Sequence, residues 1–180
     1  MNASRILYRS RQFLDALFSA PMADDLAFVS DLLGPAQMAL FSQMHRSEQA
    51  HSIRVMQAAL SKSQGLENAT QHDLLVAALL HDVGKSRYPL HLWERVLIVL
   101  GKRLFPGAVP ELGNGAPVGW RRAFVIAEQH AGWGAEMAAN AGASPITVSL
   151  IRRHQEKRSS GDGGIEDQLL SIMQSADQEQ

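Results

Sequence analysis

The stretch from Asp73 to Lys85 constrains this chain more than any other. Leu74, Leu75, Val76, Ala77, Ala78, Leu79 and Leu80 run without a polar interruption into His81-Asp82-Val83-Gly84-Lys85. A helix that is apolar all round is a buried helix. His81 and Asp82 therefore arrive together at the end of a helix in the protein interior. A carboxylate rarely goes there unpaired, so Asp82 meets a cation or holds a metal. Gly84 fits the C-terminus of such a helix, and Thr70 is placed to cap its start.

Around this stretch the chain reads as helices. Residues 4–19 space Ile6, Leu7, Phe13, Leu14, Leu17 and Phe18 at helical intervals, and a second short helix over 22–33 ends at Gly34-Pro35. Pro35 suits a first turn, and the spacing from there predicts one long helix to Lys62. Residues 90–105 form an amphipathic helix expected to pack on the core, with a membrane-surface helix as the other reading of the same pattern. Residues 106–119, rich in Gly and Pro, read as a loop, either a connector or a cover for a site. Residues 120–142 read as one helical region with a break, or as two helices. Ser144-Pro145 opens a helix to about Glu156, residues 158–164 form a flexible loop, and Ile165–Asp177 form a last helix. Period-2 alternation and internal repeats are absent. The expectation is an all-α, single-domain helical bundle, with residues 1–35 a helical extension packed on a core domain of residues 36–180.

Composition narrows the chemistry. The chain has 180 residues, 46% of them hydrophobic, enough for one sizeable core. Seventeen basic against eighteen acidic residues leave no global basic field for nucleic acid, although Arg121-Arg122 and Arg152-Arg153 leave room for a local basic patch. Cysteine is absent, so disulfides and thiolate metal sites are excluded. Any metal must be held by His, Asp or Glu, which suits Mn, Fe, Zn, Co or Mg. No run of about 18 apolar residues marks a transmembrane helix, and no leader pattern follows the N-terminal arginines. The expectation is a cytoplasmic protein with no membrane partner.

Ligand-type residues recur on inward faces of separate helices. His51 lies one turn from Val55, His130 shares a stripe with Trp133, Gly134 and Met137, His154 follows Leu150 and Ile151, and Asp177 follows Leu170 and Met173. Taken singly, each is an ordinary hydrogen-bonded histidine or a solvated aspartate. Taken together with His81-Asp82, the set has the form by which helical bundles build metal sites, one inward ligand from each facing helix.

Five segments carry a resemblance to a known family. Gln49-Ala-His51-Ser-Ile-Arg-Val55, Leu80-His81-Asp82-Val-Gly-Lys85, Glu128-Gln-His130-Ala-Gly-Trp-Gly134, Ile151-Arg-Arg-His154-Gln-Glu156 and Ser175-Ala-Asp177 resemble, in order, the motifs of the HD-domain metal-dependent phosphohydrolases. The resemblance spans about residues 51–177. It implies that His51, His81, Asp82 and Asp177 hold one divalent metal. Asp82 would bridge to a second, held also by His130 and His154, giving one or two ions per chain. Asp167 is the alternative to Asp177. Asp82 and Lys85 are the implied catalytic residues, and Lys85 with Arg54, Arg152 or Arg153 would neutralise substrate phosphate. The implied substrate is a small phosphate ester, foremost a nucleotide, hydrolysed through a metal-activated water. The alternative is a non-catalytic metal-binding module acting in signalling or binding. The chain departs from the family at Gln155, where members that cleave cyclic dinucleotides often carry a second histidine. Ala131 stands where Pro is common, and Gly161-Asp-Gly-Gly-Ile165 lacks the Gly-Tyr-Pro signature of the cyclic di-GMP subgroup.

Overall fold

The computed structural model describes residues 19–156 and 163–180. The expected helix over 4–19, apart from Ser19, and most of the expected loop over 158–164 lie outside the described residues. Within them the chain forms nine α-helices and two short 3-10 turns, with no strand. The fold is all-α. No helix among the described residues is long and apolar enough to cross a membrane.

The centre is α4 (Asn68–Leu80), preceded by α1 (Ala23–Leu32), α2 (Pro35–Gln43) and α3 (Arg46–Lys62). Every residue of α4 from Leu74 to Leu80 is buried. The helix can be apolar on all sides because α3 packs against it on one flank and α8 (Pro145–Arg153) on another. Val29 and Leu33 join the same core cluster as Phe41, Leu74 and Leu79, so the described part of the first 35 residues shares the core. The cap of α4 is Glu67, in extended conformation, and Thr70 lies inside the first turn instead.

The single helix expected over 35–62 is broken at Met44-His45. His45 is extended, its Nδ1 accepts from the backbone N–H of Ser47, and its own N–H donates to Glu48 Oε2 at 3.2 Å. The Gln49 amide donates to the carbonyls of Phe41 and Met44, at 3.1 and 3.2 Å. A reciprocal cap of this kind satisfies donors at the new helix start, while Gln49 serves acceptors at the old helix end. The break lets α3 set off in a new direction and bring His51 to the site.

After α4 the backbone tightens into a 3-10 turn, Val83–Arg87, lying on α7 (Arg122–Asn140). Gly84 does not end a helix through a left-handed conformation. A Cβ there would run into the carbonyl oxygen of His130 and sit 2.7 Å from the Gly134 nitrogen. Glycine is required by the closeness of two backbones. The helix α7 is one unbroken element, not two. Gly142, with φ of +76°, turns the chain from it into α8. Ser144 caps α8 by accepting from the Thr147 N–H, with Pro145 in the first turn. The last helix, α9 (Ile165–Gln178), packs along α3.

Two peripheral expectations are corrected. Residues 106–119 contain a short helix, α6 (Val109–Leu112), and are tied down. The Arg121 guanidinium donates to the carbonyls of Glu111, Leu112 and Asn114, and the Gln129 amide to those of Gly113 and Gly115. The helix α5 (Leu92–Leu104) does not pack its apolar face on the core. Its buried residues are Glu94 and Gly101, Leu97 and Ile98 are half-buried, and Leu92, Trp93, Leu100 and Leu104 face outward. Glu94 is held by both carboxylate oxygens on Arg122, and Gly101 lies against the Phe124 ring. A polar clamp and a glycine contact attach α5 to α7, so its apolar side is left on the outside.

Candidate metal centre

Five elements converge on one point. His51 comes from the middle of α3, His81 and Asp82 from the end of α4, His130 from α7, His154 from the residue that closes α8, and Asp177 from the last turn of α9. Their ligand atoms form two triads, His51–His81–Asp177 and Asp82–His130–His154. Within each triad the atoms lie within 4.8 Å of one another. The rings are close-set, with His81 and His154 centroids 5.2 Å apart and His130 and His154 likewise 5.2 Å. Asp82 sits at the junction. Its Oδ1 is 3.1 Å from His130 Nε2 and its Oδ2 is 3.7 Å from His81 Nε2. Asp177 Oδ1 is 2.9 Å from His51 Nε2 and 3.8 Å from His81 Nε2.

Local backbone chemistry aims the imidazoles. His81 Nδ1 donates to the Ala78 carbonyl at 2.9 Å, His130 Nδ1 to that of Ile126 at 3.0 Å, and His154 Nδ1 to that of Ile151 at 2.7 Å. A carbonyl only accepts, so each Nδ1 carries the proton and each Nε2 presents a lone pair to the interior. Holding the distal nitrogen this way is how proteins fix the tautomer of a metal-binding histidine. His81 and His154 use carbonyls that the ends of α4 and α8 leave free. Within this interior, His81 Nε2 and His130 Nε2 are buried with no hydrogen-bond partner. His130 Nε2 lies 3.1 Å from Asp82 Oδ1 but, with the ring proton on Nδ1, has none to donate to it. Buried polar atoms are rarely left so, and two inward lone pairs beside an ionised carboxylate fit a bound cation.

The ionisation states agree. Burial would raise the pKa of Asp82, but Lys85, His81 and His130 outweigh it and hold the carboxyl well below its usual range. Asp177 is lowered against the same opposing burial, chiefly by the His51 contact and by His81. Burial lowers the pKa of His130, and it lowers that of His154 to about 3 with help from His81 and His130. At neutral pH Asp82 and Asp177 are thus ionised and His130 and His154 neutral, and carboxylate with imidazole is the donor set for Zn, Mn, Fe, Co or Mg.

A cleft opens beside the centre. One cavity of about 530 Å³ is lined by His51, His81, Asp82, His130, His154 and Asp177. It adjoins a second of about 290 Å³ that runs past Arg54, Lys85 and Lys102 to apolar walls of Leu90, Ile98 and Val99. Lys85 Nζ lies 2.5 Å from Asp82 Oδ2. Arg54 faces the cleft. Arg152 is exposed and lines neither cavity. Arg153 is engaged elsewhere, with Glu156, Glu166 and Asp167 at 3.1, 2.7 and 2.6 Å. Those contacts staple α8 to α9 and remove Arg153 and Asp167 from the centre, leaving Asp177 as the carboxylate of the last helix. Gln155 lines both cavities, but its amide donates to the Ala127 carbonyl at 3.2 Å.

Two residues of the site went unnoticed in the sequence. Lys102 lines both cavities from α5, and no local pattern distinguishes it from any other lysine near a helix end. Gln174 is buried and its amide donates to the carbonyls of His154 and Glu156, at 3.2 and 2.9 Å, fixing the turn that carries His154. Its signal was a polar residue beside Met173 on the inward stripe of α9.

Comparison with curated proteins and with solved structures gives no match. A family model described as the HD domain matches residues 49–179. That range holds all six converging ligands, and the chain belongs to the HD-domain family, within the superfamily of metal-dependent phosphohydrolases.

Proposed function

We propose that this protein is a metal-dependent hydrolase of phosphate esters, a phosphohydrolase or phosphodiesterase, acting on a small phosphorylated substrate, foremost a nucleotide. The observation that carries the reading is the pair of triads with orphaned imidazole nitrogens, opening on a cleft that also presents Lys85, Arg54 and Lys102. His51, His81 and Asp177 would hold one divalent cation and His130 and His154 a second, with Asp82 between them. Such a pair supplies Lewis acidity toward a phosphoryl oxygen and lowers the pKa of a bound water.

The chain's own residues do the rest. The carbonyls of Ala78, Ile126 and Ile151 keep the three buried imidazoles in the ligating tautomer. Lys85, beside Asp82, limits the negative charge of the centre and stands ready to pair with a phosphate oxygen. Arg54 and Lys102 add positive charge along the cleft, and Leu90, Ile98 and Val99 give an apolar wall for the organic part of an ester.

The test is hydrolysis of a panel of nucleotides and of bis(4-nitrophenyl) phosphate by protein loaded with Mn, Fe, Zn, Co or Mg in turn. Release of product should need the metal and fall by roughly a thousandfold or more in Asp82→Asn. Failure of the metal-loaded protein on every substrate would overturn the reading. It would favour the non-catalytic metal-binding module, to which the bond from Gln155 to Ala127 lends some support.

A further inference from the structure

The helix α5 is mounted in reverse. Placed at 100° per residue, Val99, Leu92, Val96, Leu100, Trp93 and Leu104 fall within one arc of about 140° that also holds Arg103, and all six apolar residues are exposed. Leu104 is 60% and Trp93 57% accessible, and Phe105, just past the helix end, is 66%. An apolar stripe running the length of a 13-residue helix is not the scattered exposure common on monomer surfaces. The opposite side of the helix holds Gly101 and Glu94 against α7, while Arg95, Ile98, Val99 and Lys102 wall the cleft.

Charge selects the occupant. From His91 to Phe105 the one acidic residue is Glu94, and it is buried on Arg122. The charged side chains exposed on α5 are basic, Arg103 within the outward arc and Lys102 at the cleft edge. A second copy of this face would bring like charges together. Residues 1–18 carry Arg5, Arg9 and Arg11 against one Asp15, so they match α5 in sign rather than complement it. A helix with an apolar arc, terminal aromatic residues and basic neighbours suits the interface of an anionic bilayer, where the arc enters the acyl boundary and the cations meet headgroup phosphates.

We propose that the outward face of α5, from Leu92 and Trp93 to Leu104 and Phe105, is a docking surface for anionic phospholipid membranes. This departs from the sequence expectation of no membrane partner, and it stands independently of the hydrolase reading. Docking there would set the cleft walled by Arg95, Ile98 and Lys102 beside the membrane surface.

Flotation of the full chain with vesicles tests it. The protein should co-float with vesicles of phosphatidylcholine and phosphatidylglycerol, much less with phosphatidylcholine alone, and less again at high salt. The double substitution Trp93→Glu with Leu100→Glu should cut the bound fraction about tenfold or more. Both positions are exposed, so helical circular dichroism and metal content should match the parent and exclude misfolding. No binding of the parent chain to either vesicle, or equal binding of the double variant, would overturn the proposal. A dimer in light scattering that the double variant dissolves, with vesicles unbound, would assign the face to a second copy and overturn it equally.

Discussion

His154 shows how much one residue can depend on its surroundings. It closes α8, gives its Nδ1 proton to Ile151 and lies between the rings of His81 and His130. Its folded pKa, about 3, is below the usual 6.5 because burial and two neighbouring imidazoles oppose a further charge. In that interval the unfolded chain binds a proton that the folded chain refuses, so stability falls as pH drops from about 6.5 toward 3. His130, lowered in the same direction, adds to this. The lowered carboxyls of Asp82 and Asp177 extend the loss below their usual value of 3.8. Thermal melts of chelated protein should therefore show Tm declining on acidification, and His154→Gln should flatten the decline between pH 6.5 and 4. Elemental analysis of His130→Ala should show metal content falling from about two ions per chain to about one, as expected where a ligand nitrogen is lost from one of two sites. Arg153 belongs to a different class. Its three partners are partly exposed, and solvent screens such networks. Arg153→Ala should cost about 1 kcal/mol or less in denaturant titrations and leave metal content unchanged, whereas Arg54→Ala should raise KM for any phosphate substrate.

At the scale of elements, the 3-10 turn after α4 is the part that makes the centre. Were α4 to continue helically, the side chains after Leu80 would follow its axis instead of crossing to α7. The turn holds Asp82 within 3.1 Å of His130 because Gly84 lets its backbone touch that of α7. Gly84→Ala must push the two backbones apart. Overpacking of this kind costs about 1–3 kcal/mol, and here the displaced backbone belongs to His130 itself. Denaturant melts should show that loss together with weaker metal binding, read by competition with a chromophoric chelator. The same scale explains why helix boundaries were only partly readable. Ser144-Pro145 announced α8 by local chemistry. The break at His45 is also local, but it uses a histidine as cap, outside the usual Ser, Thr, Asp and Asn. Glu67 caps α4 with no side-chain hydrogen bond at all.

For the whole molecule, the centre lies where α3, α4, α7, α8 and α9 meet, so a bound cation ties together elements far apart in sequence. Such binding stabilises the folded state by mass action, about 2.7 kcal/mol at a free metal concentration 100 times Kd. For a domain of this size that is roughly 5–10 °C in Tm, and scanning calorimetry with and without chelator should show it. The sequence by itself determined the helical class, the buried apolar run ending in His81-Asp82, and the candidates His51, His130, His154 and Asp177. Each is a matter of local period: an apolar stripe marks the inward face, and a polar residue on that stripe has few places to go. Tertiary structure alone decided which polar residues share a point. Nothing within α8 shows that Arg153 turns to α9 while His154, its neighbour, turns to His130. Nor does α5 show that Glu94 is buried and Leu100 exposed, because an amphipathic pattern marks two faces without saying which one the fold covers. That choice was made by Arg122 and Phe124 on α7, which offer Glu94 a cation and Gly101 a ring.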